Sequence, residues 1–288
     1  MSFLLSLATV LVRATRMLPR SEERHPAPVT DGLKALCDVA TTRVAGCDVI
    51  TLTPKRNPSG IELIYTHGGS YIHPIIRRHW DLLQAIIVRT GATVTVPLYG
   101  LAPKSRMAAA YEMLDKVYAI VISRAGEHPV FLGGDSAGGG LALGQAIRYR
   151  DRGGRQPNGV ILFSPWIELT LTNPSIADRE RGDPMLRRGS LAEAAKLWTD
   201  DLTAPLASQI SDSLSGLPPL AIYQGGNEIL LPDAEALAKK AEAAGTQVHL
   251  WLSPKAFHVW VAIGWLPETK AALDDLAAEI VGMSGTPS

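Results

Sequence analysis

The sequence predicts an α/β fold, a mostly parallel central sheet flanked by helices on both faces and covered by a helical cap. Three observations predict it. Short apolar, β-branched runs recur along the 288 residues, helix-like stretches alternate with them, and two regions break the rhythm. Strand and helix in alternation give parallel pairing, because each crossover must return the chain over the sheet. The composition, 46% apolar and 19% charged, is ordinary for a globular chain. A chain of this length buries roughly three quarters of its unfolded surface.

The first break is the N-terminal stretch "MSFLLSLATVLVRATRML". Its apolar run of about ten residues is too short to span a bilayer. No positive charge precedes it and no A-x-A-like site follows, so it does not read as a cleaved signal. Phe3, Leu7, Val10 and Leu11 fall at helical spacing, which predicts an amphipathic helix covering something apolar; a membrane-seeking segment is the alternative. Residues 1–45 are read as an N-terminal cap segment, and residues 46–167 and 207–288 as the α/β core.

The strands are read in "DVITLTP", "IELIYTHGG", "ATVTVPLYG", "PVFLGGD", "GVILFSPW", "LAIYQGGN" and "VHLWLSP", each bounded by Gly, Pro or Asn. The helices are "RHWDLLQAIIVRTG", "AAAYEMLDKVYAIVISRAG", "GLALGQAIRYRDRGG", "DAEALAKKAEAAG" and "PETKAALDDLAAEIV". In the last, Leu273, Leu276, Ala277, Ile280 and Val281 form a one-sided stripe. The second break, residues 168–206, is polar and contains "DRERGDPMLRRGS". Open α/β sheets bind ligands beyond their C-terminal strand ends, so an insertion leaving such an end is placed to act as a lid.

Charge narrows the partners. Basic and acidic residues balance at 28 each without a block of one sign, which argues against nucleic acid or an anionic surface as the main partner. Cys37 and Cys47 belong to no CxxC or Cys/His cluster, so neither a disulfide framework nor a structural metal site is expected. A reducing, cytoplasmic setting is the simplest reading.

The chemistry starts at "VFLGGDSAGGGLALG". Gly134-Asp135-Ser136-Ala137-Gly138 fits G-x-S-x-G, between a strand and an apolar helix, the context a nucleophile elbow requires. Small residues two positions either side of Ser136 let a sharp turn close and leave its hydroxyl exposed. A phosphate cradle is unsupported, because neither G-x-x-x-x-G-K-[ST] nor G-x-G-x-x-G is present here. Asp135, beside the nucleophile in a tight turn, reads as a structural hydrogen-bonding residue. A serine attacking a carbonyl needs donors for the oxyanion, and losing one typically costs ~2.7–4 kcal/mol in the barrier. "IYTHGGSYI" supplies a second glycine-rich turn, and the amides of Gly68, Gly69 and Ala137 are assigned to this role.

Together these segments resemble the hormone-sensitive-lipase-like branch of the α/β-hydrolases, which carries an HGGG-type motif and GDSAGG. "HGGS", "GDSAGGG", "YGLAP" for Y-R-L-A-P, "SPWIELT" for S-P-W-x-D-L-S, and "DPML" in the cap occur in order from about Asp48 to Trp260. Ser70 replaces the third glycine of the first motif, and Gly100 replaces an arginine whose role is not carried over.

In that fold the triad follows the order Ser, acid, His. Only His249 and His258 come late enough. His249 lies mid-strand in "QVHLWL" and reads as a satisfied or exposed strand residue. His258, in the loop "SPKAFHVWVAI", is assigned as the base, and His67 as a support for the oxyanion turn. The acid is Glu228 or Asp233. The resemblance places Glu228 at the acid position, with glutamate for the family's aspartate, while Asp233 reads as a helix N-cap.

The resemblance therefore implies a serine carboxylic-ester hydrolase for short- to medium-chain acyl esters, working through an acyl-enzyme and requiring no cofactor or metal. A lactone hydrolase with the same triad is an alternative, and a non-catalytic binding protein of this fold a more distant one. The expected partner is a small ester or lactone. A homo-oligomer and peripheral membrane contact by the first helix stay open.

Overall fold

The computed structural model describes residues 2–15 and 25–285. Two helices come first, α1 (Phe3–Thr15) and α2 (Asp31–Leu36), the latter capped by the Thr30 side chain. The hairpin β1 (Cys37–Val44) and β2 (Cys47–Pro54) follows, then β3 (Glu62–Thr66), α3 (Arg77–Thr90), β4 (Thr93–Pro97), α4 (Met107–Ala125) and β5 (Val130–Asp135). After these come α5 (Ala137–Arg152), β6 (Gly159–Phe163), the cap helices α6 (Ser175–Glu180) and α7 (Arg188–Trp198), β7 (Leu220–Gly225), α8 (Leu231–Ala243), β8 (Val248–Ser253) and α9 (Pro267–Ser284).

The strands form one sheet in the order β1-β2-β4-β3-β5-β6-β7-β8. β1, β2 and β4 pair antiparallel, and every other neighbouring pair is parallel. β5 is central and buried along its whole length. Side chains alternate across the sheet as a pleated strand dictates. Leu132, Leu162 and Ile222 enter a core with α4, α5, α8 and the cap helices, whereas Phe131, Ile161, Phe163 and Tyr223 enter a core with α1, α2, α3 and α9. Helix ends are punctuated by glycine where the backbone turns left-handed, as at Gly91 (φ 64°) and Gly153 (φ 66°).

Three expectations need correction. β1 lies inside the stretch 1–45 assigned to the N-terminal cap, so the sheet begins earlier than the sequence suggested. Six consecutive residues of that strand are exposed, and it offered no apolar alternation to read. Residues 3–15 are helical, but the stripe Phe3, Leu7, Val10 and Leu11 faces outward, with exposures of 79%, 42%, 64% and 51%. The helix is seated instead through Leu5 and Ala8, through Ser2 on the Glu268 carboxylate (2.9 and 2.8 Å), and through Arg13 on the carbonyl of Gly182 (3.1 Å). In α9 the buried face is Leu273, Leu276, Ile280 and Met283, while Val281 is exposed. Among the described residues no helix is long and apolar enough to cross a membrane.

Candidate active site

Ser136 sits on the turn between β5 and α5 at φ 52°, ψ −122°. A non-glycine residue in such a conformation carries strain of order 1–3 kcal/mol and persists only where its surroundings enforce it. Here they do. Its N–H donates to the Phe163 carbonyl (2.9 Å), and its own carbonyl accepts from the amides of Trp166 (2.9 Å) and Gly140 (3.2 Å). The flanking glycines are required by space. A Cβ on Gly134 would lie 2.4 Å from the Gly138 carbonyl oxygen, and one on Gly138 would lie 2.0 Å from that of Thr66.

His258 and Glu228 meet. Nδ1 of the imidazole is 2.5 Å from Oε2 of the carboxylate, and both residues are buried. Oε1 of Glu228 accepts from the Ser164 hydroxyl (2.7 Å) and the Gly225 amide (3.0 Å). The Glu228 contact assigns the proton of His258 to Nδ1 and leaves a lone pair on Nε2, as a base needs. Burial pulls the imidazole pKa down, but Glu228, with Asp183 and Asp135 further off, outweighs it and leaves the value raised above 6.5.

One loop joins the two halves of the site. Phe163 and Trp166 hold the Ser136 backbone, while Ser164 between them donates to Glu228 and accepts from the amide of Val259 (3.1 Å). Ser164 is itself at φ 44° and bonds its amide to Tyr223 on β7. No hydrogen bond joins the Ser136 hydroxyl to a described residue; such catalytic contacts commonly tighten only in the substrate complex. Sequence reading gave Ser164 no role, although it stood in plain view in the "SPW" motif.

The oxyanion turn differs from expectation at one residue. The Gly68 amide donates to Oδ1 of Asp135 (2.9 Å), so it is not a donor for substrate. A Cβ at Gly68 would sit 2.2 Å from the other oxygen of that carboxylate. No described residue accepts from the amides of Gly69, Ser70 or Ala137. Gly69 lies at φ 118°, where a Cβ would meet the His73 carbonyl at 2.5 Å, and Ser70 follows at φ 54°. The third motif position, where Ser70 replaces glycine, thus presents the second amide of this turn.

Asp135 has the structural role expected of it, over a wider network. Its carboxylate also accepts from the Tyr65 hydroxyl (2.6 Å) and faces Nε2 of His79 (3.4 Å). Burial raises its pKa, but His79, Tyr65 and the Gly68 amide prevail and hold it at about 2. His67 supports the turn as read. It accepts at its carbonyl from Tyr99 (2.8 Å), stacks on that ring at 4.6 Å, and is lowered by burial to about 4, so it is neutral at pH 7.

Asp233 does not approach His258. It is not an N-cap either, since it lies inside the first turn of α8, accepts from the Asn173 side chain (2.9 Å) and is raised by burial to about 6. His249 is satisfied as expected, with Nε2 2.9 Å from Asp275. With Glu279 these two form the one described cluster spaced to hold a metal ion, on β8 and α9, three strands along the sheet from Ser136.

The tryptophans divide. Trp166 and Trp198 are fully buried at the site, and Trp198 of the cap lies face to face on Tyr71, at 4.4 Å and 5°. Trp80 and Trp260 are core, Trp251 is partly exposed and Trp265 is exposed.

Comparison with known proteins agrees with this arrangement. Residues 63–262 match the family described as the alpha/beta hydrolase fold. The chain is 32% identical to an esterase of Acinetobacter venetianus, over 93% of this chain and 92% of that one. It is 36% identical to an acetyl-hydrolase of Streptomyces hygroscopicus, over 82% and 80%. Among solved structures, an esterase from the bacterial hormone-sensitive lipase family superposes with a TM-score of 0.89 at 28% identity, covering 99% of both chains.

Proposed function

This chain belongs to the α/β-hydrolase fold family, among its hormone-sensitive-lipase-like carboxylesterases, and we propose that it cleaves short- to medium-chain acyl esters through an acyl-enzyme on Ser136. His258 removes the Ser136 proton as Oγ attacks the ester carbonyl. Glu228 holds the imidazole in its tautomer and stabilises the cation that forms. The amides of Gly69, Ser70 and Ala137 receive the oxyanion, with the N-terminus of α5 adding its dipole. The alcohol leaves with the proton from His258, and water, activated by the same imidazole, releases the acid.

The observation that carries this reading is the buried Glu228–His258 pair, fixed by the same 163–166 loop that fixes the strained serine turn. The wall of Tyr71, Trp166 and Trp198 supports a short acyl group over a long one. Cys37 and Cys47, both free, accord with a reducing cytoplasmic setting. Rapid mixing with p-nitrophenyl butyrate tests the covalent step. A burst of nitrophenol equal to the enzyme concentration, with an acyl mass adduct on the peptide holding Ser136, is expected. Linear release with no adduct, under conditions where deacylation limits turnover, contradicts it.

A further inference from the structure

The turn between α6 and α7 carries a buried carboxylate that the reaction just described leaves unused. Asp183 is 0% exposed. Its Oδ1 accepts from the amides of Met185 (2.7 Å) and Leu186 (2.9 Å), a common way for an aspartate to close a turn. Its Oδ2 reaches much further along the chain. It accepts from the amide of Ile229 at 2.9 Å, the peptide directly after Glu228.

A second bond ties the same pair of segments. Arg179 donates Nη1 to the carbonyl of Gly226 (3.1 Å), so the cap grips the acid's loop before and after Glu228. The opposite side of that loop is held by the segment leading to His258, through Gly226 to the Ser253 carbonyl (2.8 Å) and Asn227 to that of Ala256 (2.9 Å). The cap turn is braced in its own right. Arg187 donates to the carbonyls of Glu180 (3.2 Å) and Asp183 (2.8 Å), the Arg188 amide to the Glu180 carboxylate (2.8 Å), and Arg13 of α1 to the Gly182 carbonyl.

Closing a turn does not call for a buried charge, since an asparagine oxygen accepts the same two amides. Burying a carboxylate with no cation on it is unfavourable, and a chain retains one only where something offsets the penalty. Among the described residues no guanidinium or ammonium contacts the Asp183 carboxylate; Arg179 and Arg187 bond main-chain carbonyls instead. Glu228 touches the imidazole, Asp183 is bonded to the peptide directly after Glu228, and Asp135 precedes Ser136 in the elbow; all three are carboxylates, and each favours the charged form of His258. Asp135 is held by His79, Tyr65 and the Gly68 amide, whereas Asp183 has amides alone; the imidazolium that His258 becomes as Ser136 attacks is the cation that Glu228 and Asp183 otherwise lack.

We propose that Asp183 is a positioning residue through which the cap takes part in catalysis, fixing the peptide of the acid and adding a second negative charge that favours protonated His258. This rests on the triad reading above. The contribution is greatest when the imidazole is charged, so it acts on kcat more than on KM. Burial raises the Asp183 pKa, its three amide donors lower it and Glu228 raises it, as expected for a carboxylate that shares a desolvated site with another.

The test is a set of pH profiles for Asp183→Asn, Arg179→Ala and Glu228→Gln on a soluble short-chain nitrophenyl ester. Asp183→Asn should lower kcat about tenfold, leave KM within about twofold, and move the acidic limb of kcat/KM to lower pH by roughly half a unit. Arg179→Ala, which loosens the grip but keeps the carboxylate, should lower kcat without moving that limb. An unmoved limb and unchanged kcat in Asp183→Asn, beside a Glu228→Gln enzyme that has lost most activity, overturn the role of Asp183 and leave the triad standing. Full activity in Glu228→Gln overturns the triad reading itself. If Asp183→Asn does not fold, Asp183→Glu decides. The limb should then stay in place while kcat falls, and an unchanged kcat or a limb moved to lower pH refutes the proposal.

Discussion

The amide of Gly68 stands 2.9 Å from Oδ1 of Asp135, the residue immediately before the strained serine. That bond ties the oxyanion turn to the nucleophile elbow, and it explains why the donors shift one residue along, to Gly69 and Ser70. Because Asp135 is held at about 2 against an ordinary 3.8, its contribution to stability is present above pH 4 and is lost as pH falls toward 2. Asp135→Asn should therefore destabilise the protein by on the order of 2 kcal/mol at pH 7, and by visibly less at pH 3. Urea unfolding at the two pH values measures this, and an equal loss at both contradicts it.

Ser164 bridges Glu228 and the amide of Val259, the residue after the base. Ser164→Ala takes one donor from buried Glu228, which keeps the Gly225 amide, and leaves the half-buried Val259 amide without its acceptor, at a cost of roughly 1–3 kcal/mol. Thermal unfolding should fall by several degrees and kcat by about tenfold, with KM little changed, since the ground-state pocket is untouched. A variant with lower stability but full kcat shows that Ser164 supports the fold and not the acid.

Glu228 and Asp233 should separate cleanly. Glu228→Gln keeps the shape but removes the charge opposite the imidazolium, and kcat should drop by about three to four orders of magnitude. Asp233→Asn should retain activity. Its folded-state value of about 6 lies above the ordinary 3.8, so the ionised side chain opposes folding, slightly at pH 4 and fully above pH 7. The variant should gain up to roughly 2 kcal/mol at pH 8 and much less at pH 4. A larger kcat loss in Asp233→Asn than in Glu228→Gln reverses the assignment.

Trp198 lies face to face on Tyr71, the residue after Ser70, and in the proposed reaction this stack bounds the acyl group. Trp198→Ala removes the indole from a fully buried position, at about 3–5 kcal/mol of stability. The space it opens should raise kcat/KM for octanoyl relative to acetyl esters by about tenfold. An unchanged chain-length preference in a folded variant places the acyl group elsewhere.

Strands and chemistry were legible for different reasons. The seven sequence-read strands are apolar, β-branched and bounded by turn residues, and each carries a strand of the sheet. β1 escaped because an edge strand exposed on both faces has no pattern to detect. The stripe on α1 was read as buried because spacing reveals a face but not its direction, and the protein seats that helix through Leu5 and Ala8. At the site, Ser136 and His258 were read from motif and order and Glu228 from the family resemblance, and the structure brings Glu228 and His258 into contact. Ser164 and Asp183 were not legible, because their partners lie far along the chain: Ser164 meets Glu228 64 residues on, and Asp183 meets Ile229 46 residues on; Asp135 was read as structural, but its reach of 67 residues back to Gly68 was not. Which of three consecutive amides is already engaged is a property of the folded turn alone.

Every step of the proposed reaction depends on attack by Ser136. Turnover of a short-chain p-nitrophenyl ester by Ser136→Ala, measured beside mass mapping of a fluorophosphonate adduct on the unmodified enzyme, tests it most directly. The adduct should map to Ser136 alone, and the alanine variant should keep less than about a thousandth of the activity. Wild-type turnover by that variant, or an adduct on another residue, contradicts the account.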